Sequence, residues 1–374
     1  MKICDVTQFY SPRSGGVKRY VHEKIAFIES SSPGDEHVLI VPGARDEVTR
    51  NDRSRVYSIR SPLISRTTQY RVLLDLRAVG EIIERERPDL IESGDPYQLG
   101  WKAIAAGRLH HIPVVAFYHS HFAEAHTRSW PLLQPAARAY VRKLYNGFAA
   151  TLVPAPRLAE LLASWGVTNT RNVSLGVNSE VFHPNGPSAQ RPAERTLLLY
   201  VGRLAPEKNT ATLLEAFSLL SDDYHLLVIG DGQQREHLQE VQANTGRVTW
   251  IPYCADAVQL ASYYRAADLF VHPGVEETFG LVAAESQACG TPVVGIKGSY
   301  MDDVILHDQS AWAEENSAAA LAGAIQRMRG FDLPALGAGA ADQARERFAW
   351  PRVFEQLFCI YREVCANYKR NGTG

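Results

Sequence analysis

The chain has 374 residues, 45% hydrophobic and 21% charged, with a formal net charge of −2. It is too long for one ordinary domain and suits two, each with its own core. The balance is that of a soluble globular protein, with nucleic acid not expected as a partner, and no stretch approaches the roughly 18 apolar residues of a membrane span. Met1-Lys2 runs straight into an apolar strand, without the apolar region and cleavage site of a secretory signal, so a cytoplasmic location is expected. Cys4, Cys254, Cys289, Cys359 and Cys365 are scattered, lack zinc spacing and read as free thiols. Residues 1–185 carry 23 Lys+Arg against 18 Asp+Glu, leaving 16 against 23 for the remainder. The basic half is the N-terminal one, and its excess suits either an anionic lipid or acceptor surface or an ordinary solvated face.

In chain order, residues 2–9 read as a first strand, Ser11–Gly16 as a loop and Val17–Ile28 as an amphipathic helix. Gly15-Gly16 thus falls at a strand-to-helix junction of the kind that cradles phosphate. Ser14-Gly15-Gly16-Val17-Lys18-Arg19 lacks G-x-G-x-x-G spacing, which argues against an NAD-dependent enzyme. Strands follow near His37–Val41, Asp89–Glu92, Pro113–Tyr118 and Thr151–Pro154. Helical patterns around Tyr70–Arg85, Gln98–Leu109, Leu132–Phe148 and Ala155–Trp165 separate them, and the alternation predicts a doubly wound parallel sheet. Gly43–Arg60 reads as a loop or a weak edge hairpin. Helical segments Arg66–Arg77 and Arg138–Tyr145 mix cations with Leu, Val and Tyr, which suits either an anionic bilayer or a core-facing stripe with a basic outer face.

The polar, Pro-rich Asn185–Arg195 reads as an interdomain linker. Beyond it lie strands Thr196–Val201, His225–Ile229 and Arg247–Ile251, with helices Thr210–Leu220 and Asp256–Ala266. Pro206 forbids a regular helix interior, so Arg203 and Lys208 are expected on a loop at a strand's carboxyl end. Leu269–Val271 and Pro292–Val294 are short apolar strands flanking helical Phe279–Cys289. Helices at Ser317–Arg329, Leu333–Arg347 and Trp350–Tyr368 complete the chain. Asp268 reads as structural.

Glu277 and Glu285 stand eight apart, which on one helix would set them roughly 80° apart. With Glu277 ending a loop and Glu285 in the helix's early turns, both can address a ligand at the carboxyl ends of the strands. Carboxylates accept hydrogen bonds from hydroxyls, and the amides of Phe279, Gly280 and Leu281 offer donors to an anionic oxygen. The pattern suits a sugar joined to an anion.

The run Glu277-Thr-Phe-Gly-Leu-Val-Ala-Ala-Glu285, an E-x₇-E motif, together with Val201-Gly-Arg-Leu-Ala-Pro-Glu-Lys208, resembles the retaining family-4 glycosyltransferases of GT-B fold over nearly the whole chain. The resemblance implies an α/β fold of two doubly wound Rossmann-like domains facing across a cleft. Residues 1–185 would form the acceptor-side domain, 186–349 the donor-binding domain, and 350–374 a helix packing back on the first. It implies that Glu285 binds the donor ribose, and that Glu277 with Thr278, Phe279, Gly280, Leu281 and Val282 holds the transferred sugar. Arg203 and Lys208 would bind the diphosphate and stabilise the charge of the leaving group. Gly15 and Gly16 would approach the diphosphate from the N-terminal domain, and Gly230 of Gly230-Asp231-Gly232 would lie near the nucleotide, although a plain turn looks the same.

Tyr118-His119-Ser120-His121 resembles the segment of phosphatidylinositol mannosyltransferases and sulfolipid synthases whose first histidine faces the donor sugar, which makes His119 the candidate and His121 the runner-up. The loop Gly298-Ser299-Tyr300-Met301-Asp302-Asp303 departs from the family's glycine pair and glutamate. The implied reaction transfers a hexose from a UDP- or GDP-sugar, as co-substrate, to a hydroxyl of a lipid, glycan or small molecule. No cofactor and no metal are expected. A sugar-nucleotide epimerase or hydrolase on the same scaffold is the alternative.

Overall fold

The computed structural model describes residues 1–11, 15–64, 69–119, 131–192 and 194–371. Contacts divide the chain into two compact units, Met1–Ser174 with Val353–Gly374, and Leu175–Arg352. The division precedes the Asn185–Arg195 linker because the segment after Ser174 belongs to the second unit's packing. Val177 N–H donates to Phe348 O at 2.6 Å, and Trp350 lies so close to Gly176 that a Cβ there would meet its ring at 2.4 Å.

The first unit holds eight strands: β1 (Lys2–Val6), β2 (Glu36–Gly43), β3 (Glu47–Arg50), β4 (Ser54–Arg60), β5 (Leu90–Ser93), β6 (Val114–Phe117), β7 (Ala150–Val153) and β8 (Thr170–Asn172). Their order is β3-β4-β2-β1-β5-β6-β7-β8, parallel throughout except for β3 against β4. β5, β6 and β7 are buried at every residue, as apolar strands covered on both faces must be.

Gly43–Arg60 holds the β3/β4 hairpin, the edge-hairpin alternative, with β3 at the sheet's edge and exposed at all four residues. β4 pairs with β2 from His37↔Ser54 to Gly43↔Arg60, and its buried Ser54, Tyr57 and Ile59 explain the inward placement. The helix expected from Tyr70 begins at Leu76 and ends at Glu86, capped by Asp75 Oδ1, which accepts from Ala78 N–H at 2.9 Å. The described part of Arg66–Arg77 before Leu76 has no regular secondary structure apart from a bridge from Arg71 to Leu63. Residues 131–148 form a single 3-10 turn, Pro131–Leu133, and then a helix, Gln134–Tyr145. Phe27, from helix Gly16–Ser31, packs on Phe354 and Phe358 of the C-terminal helix at 5.5 Å each.

The second unit holds β9 (Thr196–Val201), β10 (Tyr224–Ile229), β11 (Val248–Ile251), β12 (Leu269–His272) and β13 (Val293–Gly295), all parallel in the order β11-β10-β9-β12-β13. Chain direction across the sheet reverses between β9 and β12, the point where open α/β sheets place ligands. Asp268, just before β12, is structural, accepting from Leu197 N–H at 2.7 Å and pairing with Arg191 at 2.5 Å. The five cysteines are free. Among the described residues, no helix is long and apolar enough to cross a membrane.

One carboxylate in the first unit is pushed toward neutrality by burial. Asp95 follows β5, is 2% exposed and accepts from Tyr97 N–H at 2.7 Å through Oδ1, while Oδ2 is buried without a partner. Burial pushes its pKa up to about 7 from the ordinary 3.8, against opposing hydrogen bonds from Tyr97 and Gln8. Between pH 4 and 7 the folded chain therefore holds a proton that the unfolded chain has lost, so this residue's stabilising contribution declines across that window and levels off above it. Asp95→Asn should gain on the wild type by a few kcal/mol between pH 5 and pH 8, at about 1.4 kcal/mol per pH unit. Urea unfolding at the two pH values measures this, and an equal difference at both would exclude a buried carboxylate that charges near neutrality.

Candidate functional site

Two loops leaving adjacent strands at the reversal point build the site in the second unit. After β9 the chain passes Gly202 and Arg203 and makes one 3-10 turn, Pro206–Lys208, with Pro206 at its first position. Pro206 thus starts a short turn within the expected loop that carries Arg203 and Lys208. Asn209, left-handed at φ 55°, ends it. Its Nδ2 donates to Pro273 O at 2.8 Å, tying the turn to the loop after β12.

The second loop runs from Pro273 to Gly280 and carries Glu277. Lys208 Nζ pairs with Glu277 Oε1, both side chains being largely shielded. Burial would raise the Glu277 carboxyl, but Lys208, His272 and Arg203 together hold it below its ordinary range. Arg203 is more exposed and pairs with Glu207 at 3.1 Å, while its carbonyl accepts from Tyr200 OH at 2.9 Å. Arg203, Lys208 and Glu277 thus occupy one electrostatic neighbourhood.

Helix Leu281–Ala288 follows, with Gly280 as N-cap at φ 78°. A Cβ at Gly280 would lie 2.4 Å from Met301 Sδ, so both backbone and space demand glycine. Ala283 N–H is the first to bond back, to Gly280 O at 2.9 Å, which leaves Leu281 and Val282 as the first-turn amides without an intrahelical acceptor. Phe279 was expected to contribute an amide to this set. It lies outside the helix with its ring buried against Phe348 at 5.4 Å, fixing the loop from below. Thr278 lies in the same loop. Glu285, in the helix's second turn, is 2% exposed and accepts from Tyr264 OH at 3.1 Å. Glu277 on a loop and Glu285 on a helix is the arrangement the eight-residue spacing required.

Gly230 has a packing reason for being glycine. At φ 142°, a Cβ there would stand 1.9 Å from Gly202 O. The loop after β10 lies directly against the Arg203 loop, with Leu204 N–H donating to Asp231 O at 3.1 Å and Gln234 N–H to Leu204 O at 3.0 Å. In the departing loop, Asp302 turns back on its own backbone, accepting from Gly298 N–H at 2.8 Å and Ser299 Oγ at 3.1 Å.

His272, at the end of β12, was not singled out in the sequence. It is buried with Nδ1 lacking a partner, and it feels the charges of both Glu277 and Lys208. Burial pulls its pKa down to about 4, with Glu277 opposing and Lys208 reinforcing, so the ring is neutral at physiological pH. Its position at a strand's carboxyl end, directly before Pro-Gly, was the available signal.

In the first unit, Gly15 is the N-cap of helix Gly16–Ser31, and a Cβ there would meet nothing within 4 Å. The helix's first turn has no acidic residue and contains Lys18 and Arg19. His119 follows β6, stacked on Phe117 at 4.3 Å and 9°. Burial, then the Lys24 charge, draws it down to about 3 against the opposing Asp5. His121, with Ser120, Arg128 and Trp130, lies outside the described residues.

Residues 14–181 match the family described as Glycosyltransferase Family 4, and residues 185–329 match Glycosyl transferases group 1. A GDP-mannose-dependent alpha-(1-6)-phosphatidylinositol dimannoside mannosyltransferase of Mycobacterium tuberculosis is 33% identical over 341 residues, covering 87% of each chain. A sulfoquinovosyl transferase of Arabidopsis thaliana is 30% identical over 249 residues, 63% of this chain and 48% of the relative. The sucrose-phosphate synthase of Thermosynechococcus elongatus superposes with a TM-score of 0.78 at 22% identity, over 98% of this chain and 99% of that one. With both halves matched and an extended relative above 30% identity, the chain belongs to the family-4 glycosyltransferases of GT-B fold, enzymes that transfer a sugar from a nucleotide sugar.

Proposed function

We propose that the enzyme moves a hexose from a nucleotide-diphosphate sugar to an acceptor hydroxyl with retention at the anomeric carbon and without a metal. GDP-mannose is the favoured donor, because the M. tuberculosis relative's name specifies it. The observation that carries the reading is the union of Lys208 and Arg203 with Glu277 on the two loops of the β9/β12 reversal point. As the bond from the anomeric carbon to the diphosphate oxygen breaks, negative charge gathers on the leaving group, and fixed cations lower that barrier. The acceptor oxygen bonds to the same face of the carbon, and its proton passes to the departing phosphate oxygen.

Glu277 retains acceptor sites beyond its bond to Lys208, enough for hydroxyls of the transferred sugar. Glu285, oriented by Tyr264, takes the ribose hydroxyls. The amides of Leu281 and Val282 would donate to diphosphate oxygens, and the helix N-terminus at Gly15-Gly16, whose first turn is basic, itself favours an anionic oxygen. His119, neutral by burial, hydrogen-bonds the sugar and does not carry charge. Gly230 seats the Arg203 loop beside the nucleotide.

A lipid acceptor fits best. The same relative is named for a phosphatidylinositol dimannoside substrate. Helix Gln134–Tyr145 bears Arg138, Arg142 and Lys143, and Leu132 just before it is 95% exposed, a combination suited to an anionic membrane surface on the cytoplasmic side.

Lys208→Ala should lower kcat by about a hundredfold or more while donor affinity changes little; near-normal turnover would refute the electrostatic role. Glu285→Gln should weaken nucleotide binding by roughly tenfold, the scale of one charged hydrogen bond, and calorimetric titration giving wild-type affinity would contradict the ribose assignment. Omitting the acceptor should abolish product formation, and release of free or altered sugar without one would favour the epimerase or hydrolase reading. The protein should float with vesicles containing anionic phospholipid, and Arg142→Glu with Leu132→Asp should abolish flotation; equal binding to neutral vesicles would argue against this surface.

A further inference from the structure

The interior of the first unit holds an ionic cluster that the proposed chemistry does not use. Lys24, in the middle of helix Gly16–Ser31, is completely buried. Its ammonium donates to Asp5 Oδ1 at 3.0 Å, Glu92 Oε1 at 3.1 Å and Tyr361 OH at 3.1 Å, which uses all three of its protons. Glu92 Oε2 also accepts from Tyr20 OH at 3.2 Å and from Tyr361 OH. His37 Nε2 lies 2.7 Å from Asp5 Oδ2. Taking such charges out of water costs several kcal/mol per ion, and an apolar cluster of the same volume commonly serves a core as well or better. Stability alone is a poor reason for this arrangement.

The cluster ends on the candidate histidine. The Tyr20 ring sits 4.4 Å from Lys24 Nζ, 5.0 Å from Phe117, and 5.4 Å from His119 in an edge-on arrangement. Phe117 stacks on the imidazole, and at a third side Gly94 approaches so closely that a Cβ there would lie 3.1 Å from His119 Cδ2 and 3.4 Å from Nε2. Phe117, Tyr20 and Gly94 therefore contact the ring on three sides. Of these, only Tyr20 has a polar end that can be pinned, and it is pinned by Glu92 beside Lys24.

We infer that Tyr20 is a positioning residue for His119, its phenol fixed by Glu92 and Lys24 and its ring fixing the imidazole, with Tyr361 of the C-terminal helix completing the anchor. The inference rests on the proposed role of His119 at the donor sugar. It gives residues far apart in sequence a common purpose, since Asp5, Lys24, Glu92 and Tyr361 touch no reacting atom yet set where one ring points.

Tyr20→Phe keeps the ring and deletes its anchor, whereas Gly94→Ala presses on the imidazole from another side. Both should fold, and both should lower kcat by roughly tenfold with KM for donor and acceptor little changed, because small misplacements of a reacting group cost on that scale. In a His119→Ala background neither substitution should reduce kcat further. In the protein labelled with ¹³C at histidine Cε1, the His119 resonance, assigned by its loss in His119→Ala, should shift in both variants. A stationary resonance, or equal kcat losses with and without His119, would overturn the inference. Should His119→Ala itself turn over normally, the proposed role of His119 at the donor fails, and the resonance, which needs no activity, still decides the positioning claim.

Discussion

The candidate site of the second unit depends on one ion pair. Lys208 and Glu277 come from loops 69 residues apart in the chain, and their contact joins the turn after β9 to the loop after β12. Neither charge is in open water, so each depends on the other to offset what it lost on being shielded. The pair also governs the surrounding electrostatics: Lys208 holds Glu277 ionised and helps keep His272 neutral. On the proposed reading, the carboxylate that would accept from sugar hydroxyls is thereby kept in its ionised form.

The backbone around the pair is arranged to hold it still. Asn209 bonds across to Pro273, Gly230 lets the loop after β10 lie against Gly202, and Phe279 anchors the far end of the Glu277 loop in the core at Phe348. Each of these contacts joins a loop to a neighbouring loop or to the hydrophobic interior. Loops fixed in this way lose little further conformational freedom when a ligand arrives, and that entropy is a main cost of ordered binding. The parallel sheet supplies the geometry, because every strand in it delivers its loop to the same edge.

How much of this could be read from the sequence follows from how local each feature is. The alternation of strands and helices was legible because burial on both faces leaves unbroken apolar runs, and the strand–loop–helix around Glu277 and Glu285 was legible because its spacing, glycine and proline lie within one stretch. The β3/β4 hairpin was left open against a loop because β4 has no clean period in its burial and its partner β2 lies elsewhere, and the helix expected from Tyr70 was over-read because apolar residues at helical spacing continue through an irregular segment before the Asp75 cap. His272 was missed since a single histidine at a strand end has no period to reveal it. The Lys24 cluster was invisible for a stronger reason: Lys24 and Tyr361 alone are 337 residues apart, and an amphipathic helix pattern assigns a lysine to water.

That last failure distinguishes two ways of placing a functional group. Glu277 and Lys208 sit on short segments whose local chemistry suits their ligand, so they announce themselves. His119 is held by aromatic faces and a glycine, and its surroundings are in turn held by polar and charged groups drawn from β1, β5, helix Gly16–Ser31 and the C-terminal helix. A neutral imidazole donates at one nitrogen and accepts at the other, the orientation of its ring decides where each points, and apolar packing supplies no directional bond to fix a neighbouring ring. A phenol anchored at its hydroxyl does not slide. The expense of burying Lys24, Asp5 and Glu92 is then intelligible as the free energy of directional hydrogen bonds spent on orientation, which a hydrophobic core of equal stability would not supply.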